Sequence, residues 1–287
     1  MTRSEIQLVL ADVDGTLVTQ EKGLSVATRA AVQSLATARI AFSIMSSRPA
    51  QGLRMLIEPL ELCIPFVGLN GGIVVSTDLS VLERHTLDPS TSRTAVTLLE
   101  EAGLDVWVYT EFDWLVRDAA GPHVAREAWI LQFSPKVVAG FSDAQLAFAI
   151  KIVGVSDNLD LVAACEGGAR LALGPKASVA RSEVFNLDIT SPAANKGAGL
   201  LTLARMVNVS PANIATLGDM PNDVSMFAVC GLSIAMGNAS DAVRAKADEV
   251  TLTNQDDGFA AAVRNFILPL APKGRNALGS KAGGGRL

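Results

Sequence analysis

Ile6-Gln-Leu-Val-Leu-Ala11 runs straight into Asp12-Val-Asp14-Gly-Thr16-Leu17, an apolar strand that ends in two carboxylates and a glycine turn. Such a strand fits an open α/β sheet, which places its ligands in the crevice at the strands' carboxyl ends. Asp12 and Asp14, two residues apart, point the same way if the chain stays extended. Gly15 permits a turn that lets backbone N–H groups face an anion. One carboxylate can then be a nucleophile that accepts a phosphoryl group. The other can pass a proton to the leaving oxygen and take one from water. Asp-x-Asp-Gly also occurs in surface turns and calcium loops, so this stretch by itself leaves those readings open.

Six further stretches narrow the choice. A β-type run, Ile40-Ala-Phe-Ser-Ile-Met45, ends in Ser46-Ser-Arg48-Pro, and Phe66-Val-Gly-Leu-Asn70-Gly71-Gly72 follows it. Ile189-Thr-Ser-Pro-Ala-Ala-Asn195 leads into Lys196-Gly197 at the start of a helical pattern. Ile214-Ala-Thr-Leu-Gly218-Asp219-Met-Pro-Asn222-Asp223 is again an apolar strand, a glycine turn and side chains able to hold a metal or a phosphate. Met236-Gly-Asn238-Ala and Asn254-Gln-Asp-Asp257-Gly258 complete the order. The set resembles the motifs of the haloacid dehalogenase superfamily of phosphohydrolases, most closely the Cof-type sugar-phosphatase branch, over roughly residues 5 to 268. One departure is visible: Ser47 stands where that branch carries a glycine, which puts the local turn geometry in question.

The resemblance implies a Rossmann-like parallel-sheet core, a large inserted α+β cap, and a Mg²⁺-dependent phosphatase acting on small phosphate monoesters, above all sugar phosphates. It gives Asp12 the role of nucleophile, forming an aspartyl-phosphate, and Asp14 that of general acid and base. The metal would be held by Asp12, the backbone carbonyl of Asp14, and Asp219, with Asp223 either a further ligand or a helix cap. Ser46, Lys196 and Asn222 would bind the transferring oxygens, where electrostatic positioning does most of the work. Asn70 and Gly71 contact phosphate or form a plain turn, and Arg48 contacts substrate or makes a salt bridge. Asn238 and Asn254 are expected to be structural.

A formal charge of −5 argues against nucleic-acid or anionic-membrane binding, since both need a basic face. It also creates a local problem: a dianionic ester must approach Asp12, Asp14, Asp219 and Asp223, so cations have to reverse the sign there. Magnesium suits the hard oxygen donors, and neither His85 nor His123 lies in a motif. Both histidines are expected at the surface.

Composition is ordinary for a globular chain, with 49% hydrophobic and 18% charged residues over 287 positions, long enough for two domains. No apolar run reaches a membrane span; Leu146-Ala-Phe-Ala-Ile150 stops at Lys151. The start lacks a signal-peptide pattern, so a cytoplasmic enzyme, monomer or homodimer, is expected. Cys63, Cys165 and Cys230 are far apart and flanked by apolar residues, which favours buried thiols over disulfides.

A serine-capped helix is expected over residues 25–38, with strands at 40–45, 65–69, 214–217, 232–235 and 249–251. Residues 83–186 read as the inserted cap, with strands at 104–109, 114–117, 148–155, 170–174 and 184–188 and helices near 91–102, 122–131 and 157–166. The core is then discontinuous, 1–82 and 187–272, with hinges near 80–84 and 187–192. A basic, glycine-rich stretch, 273–287, reads as a disordered tail. Within the insert, Arg117, Asp118, Arg126, Glu127 and Trp129 are candidates for substrate contact, though each reads more readily as an ordinary surface or packing residue. Two other functions fit the same motifs: a phosphomutase or phosphotransferase, or a catalytically idle protein that binds a phosphorylated ligand.

Overall fold

The apolar strand before Asp12 is an inner strand of a parallel sheet. The computed structural model describes residues 4–272, and the expected tail at 273–287 lies outside the described residues. Five parallel strands lie in the order Glu249–Val250, Leu232–Ala235, Ile214–Gly218, Leu8–Ala11 and Ala41–Ile44. Every residue of Leu8–Ala11 is buried, as a strand covered on both faces must be. Val9 and Ala11 pack with Ala31, Val32 and Leu35 of the helix Val26–Thr37. Leu8 and Leu10 pack with Leu200 and Leu203 of the helix Lys196–Val207. The two-residue alternation therefore gives each face its own helical layer. The first helix is capped as expected, with Ser25 Oγ accepting from Thr28 N–H at 3.0 Å.

A short antiparallel sheet of Phe66–Gly68, Ile73–Val75 and Val81–Arg84 continues from Met45, which bridges to Val67. The chain then builds a six-stranded sheet in the order Ser178–Glu183, Asn186–Thr190, Lys151–Val155, Asp105–Tyr109, Trp114–Val116 and Lys136–Val137. Its pairs are antiparallel except the last. Val106, Val108, Leu115, Ile152 and Leu187 face the helices Pro89–Glu101 and Leu159–Leu173. The alternate residues Trp107, Tyr109, Trp114 and Val153 join the cluster shared with the parallel sheet's layer. The α/β fold with an inserted α+β block is therefore present.

Several expectations need adjustment. The strand placed at 170–174 is instead the end of the helix Leu159–Leu173, where Val162, Cys165, Ala169 and Leu173 form one buried helical face. A short apolar run such as Ala169-Arg-Leu-Ala-Leu173 has no period that separates strand from buried helix. The boundaries at 82/83 and 186/187 cut the strands Val81–Arg84 and Asn186–Thr190, so the crossings between sheets fall at 85–88 and 191–195. Cys63 is exposed rather than buried, because it follows the helical segment Arg54–Ile57 in a surface turn. His85 and His123 are half-buried; the His123 ring stacks on Phe185 with centroids 3.8 Å apart. No helix among the described residues is long and apolar enough to cross a membrane.

Candidate active site

Adjacent strands deliver the key groups side by side. Asp12 follows Leu8–Ala11, Asp219 follows Ile214–Gly218, and Ser46 lies two residues past Ala41–Ile44. Asp12 N–H still donates to Leu217 O at 2.9 Å, which fixes its direction at the strand end. Lys196 arrives from the first turn of its helix, where Asn195 Oδ1 accepts from Ala198 N–H.

Lys196 is fully buried, and its Nζ donates to Asp12 Oδ1 at 2.5 Å and to Asp223 Oδ1 at 2.6 Å. Burial alone pulls the ammonium's pKa down, but Asp12 and Asp223 together outweigh it and hold the pKa above the usual lysine value. Burial pushes the Asp12 carboxyl well above its ordinary range; Lys196 opposes this, while Asp223 and Asp219 add to it. Asp219 is pushed up to about 7, by burial first and then by the neighbouring Asp223 charge. The site thus concentrates more negative charge than Lys196 balances.

That imbalance bears on a metal. Asp12, Asp219 and Asp223 each offer an oxygen within 4.8 Å of the others. Hard carboxylate donors crowded to the point of holding protons suit a hydrated divalent cation such as Mg²⁺. Asp223, however, already spends both oxygens: Oδ1 takes Lys196, and Oδ2 accepts Asp219 N–H at 2.9 Å and Met220 N–H at 2.8 Å. It braces the loop and the lysine. Asp219 is aimed by Asn238, whose Nδ2 donates to Asp219 Oδ2 at 3.1 Å and Gly15 O at 3.0 Å. Asn254 extends the chain of contacts, donating its backbone N–H to Asn238 Oδ1 and its Nδ2 to Val18 O. Gly15, at φ +81°, is needed here because a Cβ would sit 2.2 Å from Asp219 Oδ2.

The Asp14 side chain turns away from this cluster. Arg48 grips both its oxygens, Nε to Oδ2 and Nη2 to Oδ1, each at 2.7 Å, and Lys22 Nζ reaches Oδ1 at 2.7 Å. Burial would raise this carboxyl, but the hydrogen bonds and charges of Arg48 and Lys22 prevail and bring it to about 2. In this arrangement Asp14 is a clamped carboxylate, and it can take up a proton only once a cation lets go. Arg48 Nη1 also donates to Ile130 O at 3.2 Å, tying the clamp to the inserted block.

Ser46 is buried, and its Oγ accepts from Arg48 N–H at 3.1 Å. Ser47 borders the main cleft and is absent from the residues with positive φ among those described, so the turn carries its Cβ without strain. Asn222 Nδ2 donates to Asn70 Oδ1 at 2.9 Å, and both border a cavity of about 200 Å³ that Lys196 also lines. Gly71 serves packing: a Cβ there would sit 2.3 Å from Asn195 O. The main cleft, about 300 Å³, contains Asp12, Asp14, Asp219, Asn222 and Lys196.

Of the insert's candidates, only Glu127 reaches this region. Arg117 pairs with Glu100 at the surface, Asp118 accepts from Ala120 N–H, Arg126 lies over Phe185, and Trp129 is exposed. Sequence reasoning missed Lys22, Tyr109, Lys151, Ser182, Glu183 and Asn186, which line the cleft or its side chamber. A signal existed for Lys151, a lone charge heading the apolar strand Lys151–Val155.

Carboxylates gathered around a buried lysine at the strand ends of a parallel sheet, beneath an inserted α+β block, fit a class of phosphoryl-transfer enzyme. A family model for haloacid dehalogenase-like hydrolases matches residues 9–263, and the chain belongs to that family. A Bacillus subtilis 5-amino-6-(5-phospho-D-ribitylamino)uracil phosphatase is 25% identical over 92% of this chain and 97% of its own length. An HMP-PP phosphatase of Cronobacter sakazakii is 24% identical over 79% of this chain and 83% of its own. Among solved structures, a haloacid dehalogenase-like hydrolase from Bacteroides thetaiotaomicron superposes with TM-score 0.82 at 25% identity, covering 91% of this chain and 99% of that one. The chain is accordingly a phosphatase of this superfamily.

Proposed function

We propose that the enzyme hydrolyses small phosphate monoesters, sugar phosphates foremost, through an aspartyl-phosphate on Asp12 and with Mg²⁺ as cofactor. The observation that carries this reading is the Lys196 ammonium held between Asp12 and Asp223, beside Asp219, at the floor of a 300 Å³ cleft. The Asp12 oxygen that Lys196 does not engage attacks phosphorus in line with the leaving oxygen. Lys196 holds Asp12 in place and neutralises charge gathering on the phosphoryl group. Ser46 Oγ–H and Asn222 complete the set of donors to the equatorial oxygens. The motif resemblance gives Asp14 the part of acid and base: released from Arg48 or Lys22, it protonates the leaving alcohol, then takes a proton from the water that opens the aspartyl-phosphate.

Asp12 and Asp219 would hold Mg²⁺, with the Asp14 backbone carbonyl and with Asp223 bracing from behind. When bound, the ion supplies Lewis-acid neutralisation of phosphate charge. The inserted block, 85–190, acts as a cap that excludes bulk water. The relatives' named substrates, a phosphorylated ribitylamino-uracil and HMP-PP, support a small phosphorylated metabolite. The test is phosphate release from a panel of sugar, polyol and nucleotide phosphates, for the native chain and Asp12→Asn, with Mg²⁺ and with chelator. Release that requires both Asp12 and the metal is expected; release that survives Asp12→Asn refutes the mechanism.

A further inference from the structure

We propose that Lys22 is a phosphate-binding residue whose ammonium leaves Asp14 for a non-bridging oxygen of the substrate's phosphoryl group, while Arg48 stays behind. The inference rests on the phosphatase reading above and deepens it with a residue that the motifs leave out. Lys22 lies in a hairpin between the first motif and the helix Val26–Thr37, where Thr19 N–H donates to Gly23 O at 2.9 Å and Lys22 N–H to Thr19 O at 3.0 Å. The base of the hairpin is fixed: Asn254 Nδ2 donates to Val18 O at 2.8 Å, and Ser25 Oγ–H donates to Asp257 Oδ1 at 2.6 Å. Its tip, with Thr19, Gln20 and Lys22, borders the same cleft as Asp12 and Lys196.

Three observations separate the two cations that hold Asp14. Arg48 spends Nε and Nη2 on Asp14, and Nη1 on Gly52 O at 3.4 Å and Ile130 O at 3.2 Å, in a side chain that is 4% exposed. A planar fork engaged at each nitrogen cannot turn without giving up several bonds at once. Lys22 Nζ holds Asp14 Oδ1 by a single 2.7 Å bond, is 25% exposed, and has two further N–H donors on a stem flexible enough to swing while the hairpin stays in place. Its backbone is the second observation. Lys22 stands at φ +62°, a left-handed conformation that a residue with a Cβ adopts at a cost. Glycine would hold this turn with less strain, so the turn alone does not account for a lysine here. The third is the charge around it. Lys22 meets Asp14 of the core, and Glu183 of the inserted sheet borders the same cleft; burial raises the Glu183 carboxyl and the Lys22 charge opposes that. A dianionic phosphoryl group placed for attack by Asp12, two residues from Asp14, carries more charge and more acceptor oxygens than either carboxylate, and so draws the ammonium across.

The experiment is calorimetric titration of inorganic phosphate, with Mg²⁺ present, into the native enzyme, Lys22→Met, Asp14→Asn and the double variant. In the Asp14→Asn background the ammonium has no carboxylate to leave, so removing it should cost about tenfold or more in phosphate affinity, as expected for a charge-assisted hydrogen bond. In the native background the same removal should cost less, about threefold, because the ammonium first has to give up Asp14. A charge acting from a distance would cost equally in both backgrounds, and a lysine that only holds Asp14 would matter in the native background alone; either result overturns the proposal, as does failure of Asp14→Asn to bind phosphate. Lys22→Gly, which relieves the positive φ and so guards against a folding defect, should repeat the loss. Native-like phosphate affinity in Lys22→Gly overturns the proposal too. The phosphatase reading is judged separately, by Asp12-dependent release from esters with Mg²⁺: release without the Lys22 pattern sinks this inference alone, and no release from any ester sinks both.

Discussion

Removing divalent cations should make this protein progressively less stable as pH rises, the reverse of the usual carboxylate behaviour. Asp219 stands at about 7 against an ordinary 3.8, because it is buried beside Asp223. A carboxyl with that shift binds more protons in the native state than in the unfolded chain across the interval, so stability falls as pH climbs through it. The loss approaches about 4 kcal/mol by about pH 8, three pKa units at 1.36 kcal/mol each. Asp12, also raised, acts in the same direction. A saturating divalent cation would keep both groups ionised in the folded state and should remove their share of the slope. The assay is urea unfolding at steps from about pH 5 to about pH 8, with chelator and with Mg²⁺. Asp219→Asn provides the internal control, since it should remove its own share of the fall while Asp12, Glu127 and Glu183, raised by burial, still titrate. A chelator curve that is level or rises towards alkaline pH would refute the charge crowding inferred here.

Lys196→Met leaves Asp12 and Asp223 buried without their common cation, and should cost about 3–5 kcal/mol in urea unfolding at neutral pH, with much of that cost recovered below about pH 5 as the carboxylates protonate. Gly15→Ala drives a methyl into Asp219 at a φ of +81°, so Mg²⁺ affinity, read by calorimetry, should fall by at least about tenfold. Asp14, held at about 2 by Arg48 and Lys22, contributes stability present above its unfolded pKa near 3.9 and lost as pH falls through about 2. Its carboxylate is partly exposed, so solvent screening limits the effect to about 1–2 kcal/mol, and Arg48→Gln should flatten that acid limb in circular-dichroism titration.

The parallel core was legible because its strands end in chemistry. Asp12, Asp219 and Lys196 each stand at the point where an apolar run gives way to a turn or cap, and the fold brings those ends together. Two things were illegible. One is direction: Asp14 and Arg48 are both in the motifs, but no spacing rule says that the arginine closes on the aspartate rather than on substrate. The other is the inserted sheet. Its cleft-facing residues, Tyr109, Lys151 and Asn186, come from separate strands whose pairing sets which alternate positions share a face. Lys151 sits opposite both Tyr109 and Thr190, so it reaches the site through register rather than motif. The charged residues that stood out in the sequence, Arg117 and Arg126, are committed to surface or ring contacts.

Charge around the cleft explains why the cation and the clamp belong together. With every group ionised, five carboxylates, Asp12, Asp14, Glu183, Asp219 and Asp223, face three cations, Lys22, Arg48 and Lys196, which leaves two negative charges to meet an incoming dianion. A divalent cation would cancel that surplus and so remove the repulsion that an incoming phosphate ester meets. The balance also constrains Asp14. While Arg48 and Lys22 hold it ionised, it repels phosphate and cannot donate a proton. A bound phosphoryl group would compete for the same two cations, and loss of either contact would let burial raise the Asp14 carboxyl. Under the proposed mechanism, substrate arrival would both release the acid and load it, which would couple protonation of Asp14 to occupancy of the cleft.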